Sequence, residues 1–175
     1  MAQDQFLIII LDFGSQYTQL IARRVREQGV YCEIHTLDVS YDEVMGYNPQ
    51  GIVLSGGPES VTSEESLRAP DFVFTLGIPV LGICYGMQTM AQQLGGKVAA
   101  AEKNEFGHAE IIIAGESILF HGLAELDGQD SMPVWMSHGD QVVSVPRGFN
   151  VLARTETCPI AACLLYTSPS PRDRG

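Results

Sequence analysis

Basic side chains are scarce in this sequence. Ten Lys and Arg stand against 21 Asp and Glu, a formal net charge of −11. Duplex nucleic acid is held chiefly by cations that neutralise phosphates, so no nucleic-acid partner is expected. Long apolar runs are missing too, because no stretch reaches the roughly 18 residues that a membrane helix requires. Met1 to Leu11 lacks the basic start and small-residue cleavage site of a secretory signal. A cytoplasmic location without membrane contact is expected. Four cysteines, Cys32, Cys84, Cys158 and Cys163, are too few for a disulfide scaffold and form no C-x-x-C pair. Reduced thiols are expected, and no metal site.

What is present is a 175-residue chain, 45% hydrophobic, which suffices for one well-cored domain. Phe6 to Leu11 is a continuous apolar, β-branched run, the pattern of a strand buried on both faces. Between Gln16 and Gln28 the apolar positions Tyr17, Leu20, Ile21 and Val25 recur at helical spacing, and Gly29 stops the run. Strands are predicted at Val30 to Thr36, Gly51 to Leu54 and Ile78 to Ile83, and helices at Tyr41 to Tyr47, Ala69 to Leu76 and Gly86 to Leu94. Such alternation implies an α/β fold of three layers, α/β/α, around a mostly parallel central sheet. Beyond Val98 the segments shorten. Ala109 to Ala114, Val134 to Ser137, Val142 to Val145 and Asn150 to Thr155 predict antiparallel strands appended to that sheet. The domain is expected to span residues 5–163, and residues 164–175, ending in a Ser-Pro-rich stretch, to be a disordered or non-native tail.

Gly82-Ile83-Cys84-Tyr85-Gly86 has the form G-x-S-x-G with cysteine in the place of serine, and lies where a strand passes into a helix. A sharp turn there lifts the side chain above the carboxyl edge of the sheet. Eighteen glycines in 175 residues would flank a given cysteine on both sides by chance about one time in a hundred. Cys84 is therefore read as a nucleophile in preference to a buried structural cysteine. The positive end of the following helix is expected to favour its thiolate, and the Tyr85 N–H to serve as an oxyanion donor. Ser55-Gly56-Gly57-Pro58-Glu59-Ser60 follows another strand on the same edge, and Gly57 is the candidate for a second oxyanion donor. A phosphate-binding loop is the rival reading of this segment, but Pro58 removes a donor that such a loop would use.

Asp12-Phe13-Gly14-Ser15-Gln16-Tyr17, the Ser55 to Ser60 loop, Gly82 to Gln88 and Val134-Trp135-Met136-Ser137-His138-Gly139-Asp140 together resemble the class I glutamine amidotransferases, a flavodoxin-like family. The first and last of these segments point to its GMP-forming branch. The resemblance covers about Leu7 to about Ala162. It implies a Cys-His-Glu triad, a γ-glutamyl thioester on Cys84, and ammonia delivered to a synthetase domain of the ATP pyrophosphatase type that aminates XMP. By position, Gln88, Ser137, Gly139 and Asp140 would help to hold glutamine. No cofactor is implied for this domain, and ATP with Mg2+ for the synthetase domain; the full-length protein is expected to be a homodimer. A glutaminase subunit serving another synthesis, or a non-catalytic flavodoxin-like module with a redox-sensing cysteine, are the competing readings.

The family places its base and orienting carboxylate in a His-Pro-Glu motif, and these 175 residues contain none. His108-Ala109-Glu110 imitates the spacing but precedes the Val134 to Asp140 segment, and is read as a loop at strand entry. His138 is read as part of a substrate-side turn and not as the base. The expectation is a natural sequence cut short before that motif, with little activity by itself.

Overall fold

The computed structural model describes residues 6–63, 65–114, 117–122 and 131–165. The chain divides into two compact units, Met1–Gln93 and Leu94–Gly175.

In the first unit, four parallel strands, β1 (Leu7–Leu11), β2 (Tyr31–His35), β3 (Gly51–Leu54) and β4 (Val80–Gly82), lie in the order β2-β1-β3-β4. The first crossover leads outward to β2 and the next returns past β1 to β3, so the topological switch falls between β1 and β3. Parallel register aligns His35, Leu11, Leu54 and Gly82 in one row along the carboxyl edge. Alternation gives the sheet two apolar faces. Ile10, Cys32 and Val53 pack with Ala22 of α1 (Thr18–Glu27), flanked by Ile8, Ile34, Ile21 and Val25. On the other face Leu54 lies against Gly86 of α3 (Tyr85–Gln93). Each fully buried aliphatic side chain in this core contributes about 1.5–3 kcal/mol.

The helix ends follow local chemistry. Gly29 takes φ +74 just past α1, where an L side chain would be strained. Ser40 caps α2 (Tyr41–Gly46), its Oγ accepting from the Glu43 N–H at 3.2 Å. The helix predicted at Ala69 to Leu76 is only a 3-10 turn, Asp71–Phe74. Pro70 fixes its start, and Gly77 at φ +73 followed by Pro79 prevents extension.

In the second unit, β5 (Lys97–Ile113), β6 (Ser131–Ser144), β7 (Phe149–Arg154) and β8 (Ala162–Leu165) form an antiparallel sheet in the order β6-β5-β7-β8. The antiparallel strands thus make a sheet of their own, and two of them are much longer than predicted. His138, expected in a turn, lies within β6 together with Gly139 and Asp140, and His108, expected in a loop, pairs with Trp135 in mid-strand. Turn chemistry at His138-Gly139-Asp140 is overridden by cross-strand pairing, and the bend appears in the partner strand instead. Ala100 pairs with Asp140 and Glu105 with His138, so β5 carries its extra residues opposite Gly139. The boundary expected after residue 163 falls inside β8; residues 166–175 lie outside the described residues.

Candidate active site

Cys84 is the second residue beyond β4, which ends at Gly82, and the last before α3. Its backbone sits at φ +55, a left-handed conformation that costs a non-glycine residue about 1–2 kcal/mol. Three backbone bonds hold the elbow: the Ile83 N–H donates to the Leu54 carbonyl at 3.0 Å, the Gly86 N–H to the Ile83 carbonyl at 3.0 Å, and the Gln88 N–H to the Cys84 carbonyl at 3.1 Å. Both flanking glycines are required by space. A Cβ on Gly82 would lie 2.6 Å from the Met87 nitrogen, and one on Gly86 would lie 2.3 Å from the Leu54 oxygen. The strand-to-helix turn is this tight because no side chain separates helix from sheet.

Two loops from the switch point stand beside the elbow. In the first, the Asp12 carboxylate accepts from the Gly14 N–H at 2.9 Å and from the Thr18 hydroxyl at 2.7 Å, joining the loop to α1. In the second, Ser55 is fully buried; its Oγ accepts from the Phe13 N–H at 3.0 Å and donates to the Gly56 carbonyl at 2.9 Å. A Cβ on Gly56 would come 3.6 Å from the Cys84 Cβ, and one on Gly57 would come 3.0 Å from the Phe13 oxygen and 3.2 Å from the Tyr85 ring. The Tyr85 ring is buried against Phe13, centroids 5.3 Å apart, and its hydroxyl donates to the Leu67 carbonyl at 2.8 Å. Gly57, Cys84 and Tyr85 are therefore brought together, with the Tyr85 side chain serving as a wedge and its N–H left to the thiol.

The Cys84 residue is exposed, but packed surroundings push its thiol above the ordinary 9.0, and the Tyr85 N–H bonded to it pulls the other way. Desolvation is the larger of these two influences on the thiol. Gln88, one turn along α3, is buried at 6% exposed. Ser137, Gly139 and Asp140 belong to the second unit, on β6.

Within Met1–Gln93 the sequence holds a single histidine, His35. It ends β2, three strands from β4, a separation of about 14 Å at ordinary strand spacing. Its Nδ1 lies 3.7 Å from Glu43 and its ring meets Tyr47 edge-on at 5.1 Å. This imidazole therefore serves β2 and α2 and does not serve Cys84. Among the described residues no cluster of three or more His, Cys, Asp or Glu could hold a metal ion, and no helix is long and apolar enough to cross a membrane.

Asp12 and Ser55 were not singled out from sequence. D-x-G is a legible turn signal for the first. Nothing local marks the second, whose partner is Phe13.

A strained cysteine between space-demanding glycines, at the carboxyl edge of a parallel sheet and beside a second glycine loop, has the form of a nucleophile elbow on an open α/β sheet. The model of the class I glutamine amidotransferases matches residues 9–168, and the chain belongs to that family. Similar proteins include the GMP synthase [glutamine-hydrolyzing] of Tolumonas auensis, 58% identical over 158 residues, and that of Aliivibrio fischeri, 59% identical over 155. Each alignment covers 89% of this chain, which spans only about 30% of the length of the relatives. Among solved structures, a putative GMP synthase subunit from Thermoplasma acidophilum superposes with a TM-score of 0.81 at 29% identity, covering 95% of this chain and 81% of that one. A glutamine amidotransferase from Methylobacillus flagellatus, at 20% identity, shares the fold with a TM-score of 0.66, over 92% of this chain and 66% of that one.

Proposed function

We propose that this chain is the glutamine-hydrolysing module of a GMP-forming enzyme. The observation that carries the reading is Cys84 at φ +55 between Gly82 and Gly86, neither of which has room for a Cβ. In the proposed reaction the Cys84 sulfur adds to the side-chain carboxamide carbon of glutamine. The carbonyl oxygen takes the negative charge, facing the N–H groups of Gly57 and Tyr85. The thiol proton passes through a base to the departing nitrogen, ammonia leaves, and the γ-glutamyl thioester is hydrolysed by water to glutamate. Gln88, Ser137, Gly139 and Asp140 are proposed to hold the glutamine head group.

The base is a histidine in the family pattern, and His35 is badly placed for that role. The 175-residue chain is therefore proposed to form the covalent adduct more readily than it turns over. Ammonia would be used by an ATP- and Mg2+-dependent synthetase domain that aminates XMP, in a cytoplasmic homodimer.

A diazo-ketone analogue of glutamine tests the reading. It should label Cys84 alone of the four cysteines, as read by peptide mass spectrometry, and millimolar glutamine should slow labelling. Labelling spread over several cysteines, or unaffected by glutamine, would favour the redox-sensor reading and overturn this one.

A further inference from the structure

We infer that Ser55 is a positioning residue that fixes the direction of the Gly57 N–H. The inference rests on the oxyanion role proposed above for that N–H. Gly56-Gly57 is the least restrained kind of peptide, since neither residue has a Cβ to bias its backbone. Left alone, the peptide plane between them could rotate, turning the N–H away from the site and the carbonyl toward it. A carbonyl pointing into the site would repel the developing oxyanion.

The buried Ser55 hydroxyl removes that freedom. It accepts from the Phe13 N–H at 3.0 Å, which commits its own hydrogen to the Gly56 carbonyl at 2.9 Å. The chain has no cis peptide bond among the described residues, and across a trans peptide the carbonyl and the next N–H point in opposite directions. Anchoring the Gly56 oxygen to Ser55 therefore turns the Gly57 N–H away from that hydroxyl. Phe13 takes part through its backbone, and its carbonyl limits Gly57 from the other side: a Cβ there would come within 3.0 Å. The hydroxyl is fully buried, so no water replaces it when it is removed.

The test uses the 175-residue chain and L-glutamate γ-semialdehyde. Its aldehyde carbon is attacked by the Cys84 thiol to give a hemithioacetal: the C–S bond forms, the C=O π bond breaks, and the thiol proton ends on the new hydroxyl. The oxygen of that adduct occupies the place of the oxyanion. Binding is read as protection of Cys84 from iodoacetamide, whose own attack on the thiol requires no oxyanion donor. Ser55→Ala is expected to raise the semialdehyde concentration for half-protection by roughly 10- to 100-fold, below the roughly 100- to 1,000-fold for outright loss of one oxyanion donor because the N–H is misdirected and not removed, while the iodoacetamide rate without semialdehyde stays within about twofold. Ser55→Thr, which keeps the hydroxyl, should recover most of the protection. Should Ser55→Ala unfold, Ser55→Cys supplies the comparison, with similar volume and a weaker donor. Equal protection in parent and Ser55→Ala would overturn the inference and leave the oxyanion reading standing. A parent chain that gains no protection would overturn both.

Discussion

Glycine does different work at the Cys84 elbow of the first unit and in the long strand β5 of the second. At the Cys84 elbow it is required by space: Gly82 and Gly86 have ordinary backbone angles, but an added Cβ would fall 2.6 Å and 2.3 Å from backbone atoms. In the second unit Gly107 is required by conformation: it takes φ +111 within β5, and a Cβ there would meet nothing within 4 Å. Glycine of the first sort marks backbone segments pressed together, which is how a site is formed before substrate arrives. Glycine of the second sort marks a bend in an open ribbon. The first unit thus carries the strained, tightly held groups, and the second presents long strands with exposed faces.

The sharpest way to break this contrast is Gly86→Ala. The methyl would collide with the Leu54 carbonyl, and α3 would have to move off the sheet. A loss of about 3 kcal/mol is expected in denaturant melts, together with loss of diazo-ketone labelling at Cys84. A variant that melts like the parent would show that helix and sheet are not pressed together as described.

Much of the first unit was legible because its signals are local. A continuous apolar run gave β1, helical spacing gave α1, and β3 was predicted at Gly51 to Leu54 as found. G-x-C-x-G announced the elbow because steric demand at a turn is written into the residues themselves. The second unit was read less well. Val134 to Ser137 does alternate, with Trp135 and Ser137 exposed and Val134 and Met136 half-buried. Gly139-Asp140 nevertheless resembles a turn, and only pairing with β5 makes the strand continuous. The role of Ser55 and the burial of Gln88 were illegible for the same reason, since both depend on neighbours distant in sequence.

Cys84 itself provides a smaller test. Cys84→Gly should abolish labelling and raise stability by roughly 0.5–1 kcal/mol, because the left-handed strain of about 1–2 kcal/mol disappears while the unfolded chain gains about 0.5–1 kcal/mol of entropy. Loss of stability instead would mean that the thiol contributes packing that outweighs the strain.

Titration compares one thiol from each unit. Burial pushes both Cys84 and Cys163 above the ordinary 9.0, and only Cys84 has an N–H pulling it down. Iodoacetamide rates followed against pH should have midpoints above 9.0 for both residues. A raised thiol means that the folded chain holds its proton more tightly than the unfolded chain. The stabilising difference is complete below about pH 9 and is lost as pH rises through the folded value, so stability should decline as pH rises above about 9. A Cys84 midpoint below 9.0 would mean that the Tyr85 N–H and the helix end together outweigh burial.

The smallest effect is expected on the exposed face of the second unit. Phe106 and Trp135 are 69% and 70% exposed despite their size. Phe106 pairs with Ser137, and Trp135 pairs with His108, whose ring it meets edge-on at 5.3 Å. Phe106→Ser should shift stability by less than about 0.5 kcal/mol, since it removes little packing. Trp135→Ser should cost somewhat more, up to about 1 kcal/mol, because it deletes a cross-strand ring contact. The order of the two matters more than their size. If Phe106→Ser proves the costlier, the side chain is packed in solution and the open-ribbon description of this unit fails. If both remain small while Gly86→Ala is large, the preformed character belongs to the parallel sheet that carries Cys84.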